Sequence, residues 1–199
     1  DVDGCAVGNN KVYLIDDDPT YPPQVFNLGT GTYDAPHNIN ASGATSTSAA
    51  AWLPRSLDPG AEYCTGAINS TGASGEIEAD GSRFIGDHDM TLRASSLPQN
   101  AFGFFLVSDT QGFAANPGGS QGDLCLGGAI GRYVGPGQIQ TSGSTGAFSL
   151  EIDLGSLPTP TGSISAMPGE TWNFQAWHRD SIGGSAVSNF TGAVAVPLL

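Results

Sequence analysis

Three short acidic clusters, Asp1-Val2-Asp3-Gly4, Asp16-Asp17-Asp18 and Asp87-His88-Asp89, are the first residues whose chemistry asks for attention. Calcium takes six to eight hard oxygen ligands at flexible geometry, and closely spaced aspartates in a loop supply them. The candidate metal ligands are therefore Asp1, Asp3, Asp16, Asp17, Asp18, Asp87 and Asp89. Asp1–Gly4 opens like a DxDG calcium loop but lacks the acidic positions that would follow in an EF-hand. Against the metal reading stands a plain one, since aspartate caps turns whether or not an ion is present. Calcium is the one cofactor expected.

Catalytic groups are harder to assemble. The histidines are His37, His88 and His178, and no GxSxG elbow accompanies them. His178 lies at a strand end beside Arg179-Asp180, where a structural histidine is commoner than a general base. Glu76 with Glu78 and Glu151 with Asp153 could be drawn as glycosidase pairs, yet each is an i, i+2 pair on the polar face of a strand. The glycine-rich run from Asn116 to Arg132 contains neither GxGxxG nor GxxxxGK. It reads as a loop needing positive φ, followed by a strand closely approached by other backbone. No catalytic residue is assigned.

Aromatic residues offer a binding surface instead. Trp52, Tyr63, Trp172, Trp177, Tyr21, Tyr33 and Tyr133 could furnish a stacking platform. If Trp172 and Phe174 point into the core, then Asn173, Gln175, Trp177 and Arg179 share the opposite face. Those four are the candidate ligand-binding residues, provided that a second sheet does not cover them.

The elements that would position these groups are strands. Lys11–Asp16, Gln24–Leu28, Gly75–Ala79, Met90–Ser95, Phe102–Val107, Phe148–Leu154, Thr171–Trp177 and Phe190–Val196 alternate or run apolar between glycine and proline punctuation. Phe102, Phe104 and Leu106 oppose Phe105 and Val107, so that strand is expected to be central and covered on both sides. In the last strand Phe190, Val194 and Val196 are expected to point inward together. The best helical candidate, Ser46–Leu53, is short and stops at Pro54. The expected fold is all-β, a β-sandwich of jelly-roll type with about ten short strands. Residues 1–60 would carry N-terminal strands and a Ser/Thr/Ala-rich loop, packed on or extending from a main sandwich at 61–199. The first 45 residues hold too few apolar groups for a core of their own.

Composition narrows the setting. Nineteen acidic residues face six basic ones in 199, a formal net charge of −13, while 39% hydrophobic residues with nine Phe argue for a folded chain. The six cations are scattered, which excludes a phosphate-backbone footprint and an anionic membrane surface. No apolar run reaches the roughly 18 residues a spanning helix needs. Of three cysteines, Cys64 and Cys125 sit beside apolar residues in strand-like segments. A bridge between them would close a loop of roughly 60 residues, stabilising by about 4 kcal/mol. The alternative is two buried free thiols, and Cys5 is left over in either case. Few lysines and polar loops suit a bacterial extracellular protein. If exported, Asp1 would follow a cleaved leader or a preceding domain.

A set of strings completes the reading: Tyr63-Cys64 with Asn69-Ser70-Thr71-Gly72, Phe102–Ser108, Gly118–Arg132, Gly169–Trp177 with Arg179-Asp180, and Ser188-Asn189-Phe190-Thr191. Together they resemble a poorly characterised domain near the C-termini of large secreted proteins from planctomycete-type bacteria, over about residues 61 to 196. The resemblance implies a non-catalytic accessory module and supplies no catalytic residue. The expectation is thus an extracellular or cell-surface accessory or adhesion module, stabilised by calcium. Its alternatives are a carbohydrate-binding module, a structural subunit of a filament or surface assembly, and a hydrolase with an unrecognised site. Partners would be an extracellular glycan or protein, other domains, or further copies of the chain, without nucleic acid or membrane insertion.

Overall fold

A computed structural model describes residues 4–8, 11–15, 24–27, 31–33 and 60–199. Asp1, Asp3, Asp16, Asp17, Asp18, Tyr21, His37, Trp52, the 46–53 segment and the Cys5 side chain lie outside what is described. Contacts divide the chain into two compact units, Asp1–Pro54 and Arg55–Leu199.

In the first unit β1 (Gly4–Gly8), β2 (Lys11–Ile15), β3 (Gln24–Asn27) and β4 (Thr32–Tyr33) pair antiparallel in sequence order. The two short strands marked by the sequence pair with each other, from Lys11↔Asn27 to Leu14↔Gln24. Val25 is buried, and Phe26 meets Tyr33 edge to face at 5.1 Å.

The second unit is the sandwich. Its larger sheet runs β11-β8-β16-β17-β5, formed by Gly131–Arg132, Phe102–Ser108, Thr171–Ile182, Ser185–Pro197 and Ala61–Cys64, with β12 (Gln140–Thr141) also on β8. The smaller sheet runs β13-β7-β6, formed by Phe148–Glu151, Thr91–Ser95 and Glu76–Asp80. A hairpin of β9 (Gln111–Ala114) and β10 (Leu124–Leu126) and another of β14 (Leu157–Thr159) and β15 (Gly162–Ile164) complete it. The chain is all-β, as expected. The described residues form seventeen strands, and those beyond the expected ten or so are mostly pieces of two or three residues.

Alternation explains the core. Ile77 and Ala79 on β6, Leu92 and Ala94 on β7, and Phe148 on β13 face Phe105, Val107, Trp172, Phe174, Ala176, Val194 and Val196 across the gap between sheets. Each fully buried large side chain there contributes roughly 1.5–3 kcal/mol. Trp172 keeps its indole N–H satisfied by donating to the Glu170 carboxylate at 3.0 Å.

The strand β8 is central, as its two-faced pattern requires. Phe105 and Val107 enter the inner core, while Phe104 and Leu106 join a smaller outer cluster with Leu126, Phe190, Leu124, Ile130 and Trp177. Phe102, expected beside Phe104, is instead 58% exposed. Phe190 is a correction. It faces outward, opposite to Val194 and Val196, because the pairing of β16 with β17 shifts from Gln175↔Ala193 to Trp177↔Phe190. The extra residue on β17 is a bulge, and a one-residue slip moves the residues beyond it to the other face. Thr191 mends the ladder there, its hydroxyl accepting from Ala176 N at 2.9 Å and donating to Gly192 O at 2.7 Å.

The hairpin β9–β10 lies over the outer face of the larger sheet. It is pinned by the Cys64–Cys125 disulfide, whose Cα atoms are 6.4 Å apart and which joins β5 to β10. Tyr63 reinforces the same joint by donating to Cys125 O at 2.9 Å. Burial pushes the Tyr63 phenol up to about 12. The glycine-rich run behaves as its composition predicts: Gly118 and Gly119 take positive φ of 62° and 79°, and a Cβ on Gly131 would lie 1.8 Å from Pro158 O.

Candidate binding groove

The strand β16 sends Asn173, Gln175, Trp177 and Arg179 to one face, as alternation demands, but the hairpin divides their fates. The first pair lies beneath it and is buried. Gln175 donates to Asp123 O at 3.0 Å and Thr191 O at 2.9 Å, and accepts from Cys125 N at 2.9 Å. Asn173 donates to Ser108 O at 3.2 Å and accepts from Gln111 Nε2 at 3.2 Å. Both amides are buried with these partners and do not face the open part of the sheet. They dock the hairpin, Gln175 through backbone of Asp123 and Cys125 and Asn173 through the Gln111 side chain, because buried polar groups must find partners.

Beyond the hairpin the face is open. Phe104 stacks on Trp177 with ring centroids 5.0 Å apart, and the Arg179 guanidinium lies over the indole at 5.3 Å. Around them is a groove of about 340 Å³, walled by Phe104, Leu106, Leu124, Ile130, Trp177 and Phe190, with Pro117 and Arg132 at its margin. Arg132 is exposed and comes from β11, beside Leu106 in the register. The groove has mostly apolar side-chain walls, a comparable share of exposed polar surface, and two guanidinium groups beside it, an arrangement that can hold an apolar group and an anion at once.

The sequence pointed to Trp177 and Arg179 but missed Arg132, Phe190 and the apolar walls. The two-faced pattern of β8 announced Phe104 and Leu106 as covered. The bulge that turns Phe190 outward has no comparable sequence mark.

The inner side of β16 holds His178 and Asp180. His178 is fully buried, its Nδ1 lies 3.0 Å from Arg179 O, and its Nε2 has no hydrogen-bond partner among the described residues. Burial lowers its pKa, ahead of the opposing pull of the Arg179 carbonyl and Asp180, and keeps the ring neutral. Burial alone would raise the Asp180 carboxyl, but hydrogen bonds from Ser70, Ser181 and Asn189 outweigh it and hold it low. Ser70, Asp180 and Asn189 thereby tie the 68–74 turn to the β16–β17 hairpin, while Asn69 ties the same turn to Ser96 O. Among the described residues His178 makes no hydrogen bond to a hydroxyl.

Of the candidate metal ligands within the described residues, Asp87 and Asp89 both hold Ser82. The Ser82 hydroxyl donates to Asp87, and Ser82 N donates to Asp89 Oδ1 at 2.8 Å. His88 Nδ1 lies 3.2 Å from Asp153 Oδ1. Among the described residues no group of three or more His, Cys, Asp or Glu is placed to hold a metal ion. Glu76 and Glu78 line, with Glu62, a second groove of about 420 Å³ that has no cationic side chain in its wall. Glu151 and Asp153 are exposed on and just beyond β13.

Among the described residues no helix is long and apolar enough to cross a membrane. The chain matches no protein-family model, no curated protein and no solved structure.

Proposed function

We propose that this chain is a non-catalytic, extracellular accessory or adhesion module that holds its partner in the outer-face groove beside Trp177. The observation that carries the reading is an apolar groove of about 340 Å³ left open at the end of a face that is otherwise covered. Water in such a trough is displaced favourably by an apolar group, and the arginines give orientation. The disulfide supports an oxidising compartment. The resemblance to accessory domains of secreted bacterial proteins supports the same role.

The carbohydrate-binding alternative draws on Trp177 but loses Asn173 and Gln175, which are engaged with backbone. For the assembly alternative the pairing of β2 with β3 offers no supporting observation. Calcium enters as a stabilising ion at Asp1–Asp3 and Asp16–Asp18; an unchanged melting temperature in millimolar calcium would overturn that part alone.

The test is binding to a panel of extracellular polysaccharides and proteins, with wild type beside Trp177→Ala. A partner lost on substitution, at retained thermal stability, is the expected result. Binding that survives the substitution unchanged would move the site elsewhere.

A further inference from the structure

The walls of the groove say what kind of partner it takes. Sugar hydroxyls need several fixed polar side chains for recognition, and among the groove's lining only the Arg132 guanidinium and the Trp177 indole N–H supply polar side-chain groups. The amides on the same face are buried beneath the hairpin. The cavity is at the small end of ligand sites, which run from about 300 to 1,000 Å³, so it holds one or two large side chains rather than an extended ligand. Neither Arg132 nor Arg179 forms an ion pair within the described residues. Guanidinium forks beside an apolar trough select a carboxylate. The net charge of −13 repels a polyanion at long range, which leaves room for one carboxylate and not for a polyuronate.

Resting on the groove as the functional surface, the geometry points to a short protein segment as the occupant: one that presents a bulky apolar side chain next to an Asp or Glu. The apolar side chain enters between Leu124, Ile130 and Phe190, and the carboxylate meets Arg132. Arg179 stays on the Trp177 ring and widens the positive field there.

Selection of random displayed peptides on the intact chain, followed by titration of an enriched synthetic peptide, tests this. The expected enrichment is an aromatic or Leu beside Asp or Glu. Changing that acid to its amide, or Arg132→Gln in the chain, should each weaken binding about tenfold, and both together little more than either alone. Arg132 is exposed, so its substitution leaves the fold intact.

Enrichment of basic or uncharged peptides, losses that add independently, or no enrichment at all would overturn the proposal. Polygalacturonate and neutral xylan serve as the separating arms. Trp177-dependent binding of either polysaccharide without peptide selection would leave the groove as the site and remove the protein segment as its occupant. If Trp177→Ala alters binding of neither peptide nor polysaccharide, the groove itself falls.

Discussion

The two faces of the larger sheet carry similar side chains and end differently. On the inner face Phe105, Phe174, Trp172 and Val196 are sealed by a second sheet whose Leu92, Ala94 and Ile77 interdigitate with them. On the outer face Phe104, Leu106, Phe190 and Trp177 are as apolar, but only a two-stranded hairpin lies above them. A sheet can close a face along its whole length; a hairpin anchored by one disulfide and two buried amides covers part of it. The same apolar pattern therefore makes a core on one side and a groove on the other.

Cutting the anchor breaks this contrast with the largest effect. Cys64→Ser with Cys125→Ser should cost about 2–5 kcal/mol, since the bridge spans 61 positions of chain. Hydrogen exchange should rise first in β9 and β10 and last in β7 and β16. Uniform loss of protection across both sheets would show that the hairpin is not a separate cover.

Side-chain truncation probes the faces themselves. Leu92→Ala, in the sealed core, should cost about 2–5 kcal/mol, whereas Leu124→Ala, half-buried at the groove wall, should cost about 1 kcal/mol. Urea unfolding of the two variants checks the ratio. Equal costs would mean the outer cluster is as closed as the inner one.

Acid should act on the inner side of β16 with a smaller effect. The buried His178 has a folded pKa below its ordinary 6.5, so the unfolded chain takes up its proton first. That contribution is complete above about pH 6.5 and is lost as pH falls below it. Asp180, held low, keeps its contribution to more acidic pH. In His178→Gln the loss between pH 6.5 and the acid range should shrink relative to wild type. Parallel stability profiles for the two proteins would contradict the assignment.

Much of this fold is legible from alternation alone. The burial of Trp172 and Phe174 and the double coverage of β8 follow from neighbours one or two residues apart, whereas the Cys64–Cys125 bridge is one of two readings the sequence leaves open. The site was legible only where the period held. Trp177 and Arg179 fall on the outer face by simple counting. Phe190 does not, because a bulge is a property of two strands in register and cannot be read from either one. The amides Asn173 and Gln175 look like exposed ligand groups until the hairpin, distant in sequence, is laid over them. Long-range cover decides which side chains of this face stay exposed, and periodicity is silent about it.

The central claim is that the outer face is open, apolar and positively flanked at Trp177. It is tested most directly by indole N–H resonances of the intact chain during titration with 8-anilinonaphthalene-1-sulfonate, a planar apolar probe bearing one anion. Trp172, buried and bonded to Glu170, is the internal control, and Trp177→Phe assigns the reporter. The expected result is a saturable shift of the Trp177 resonance, weakened by Arg132→Gln, with Trp172 unmoved. A Trp177 resonance that stays in place, or one that moves only together with Trp172, would contradict it.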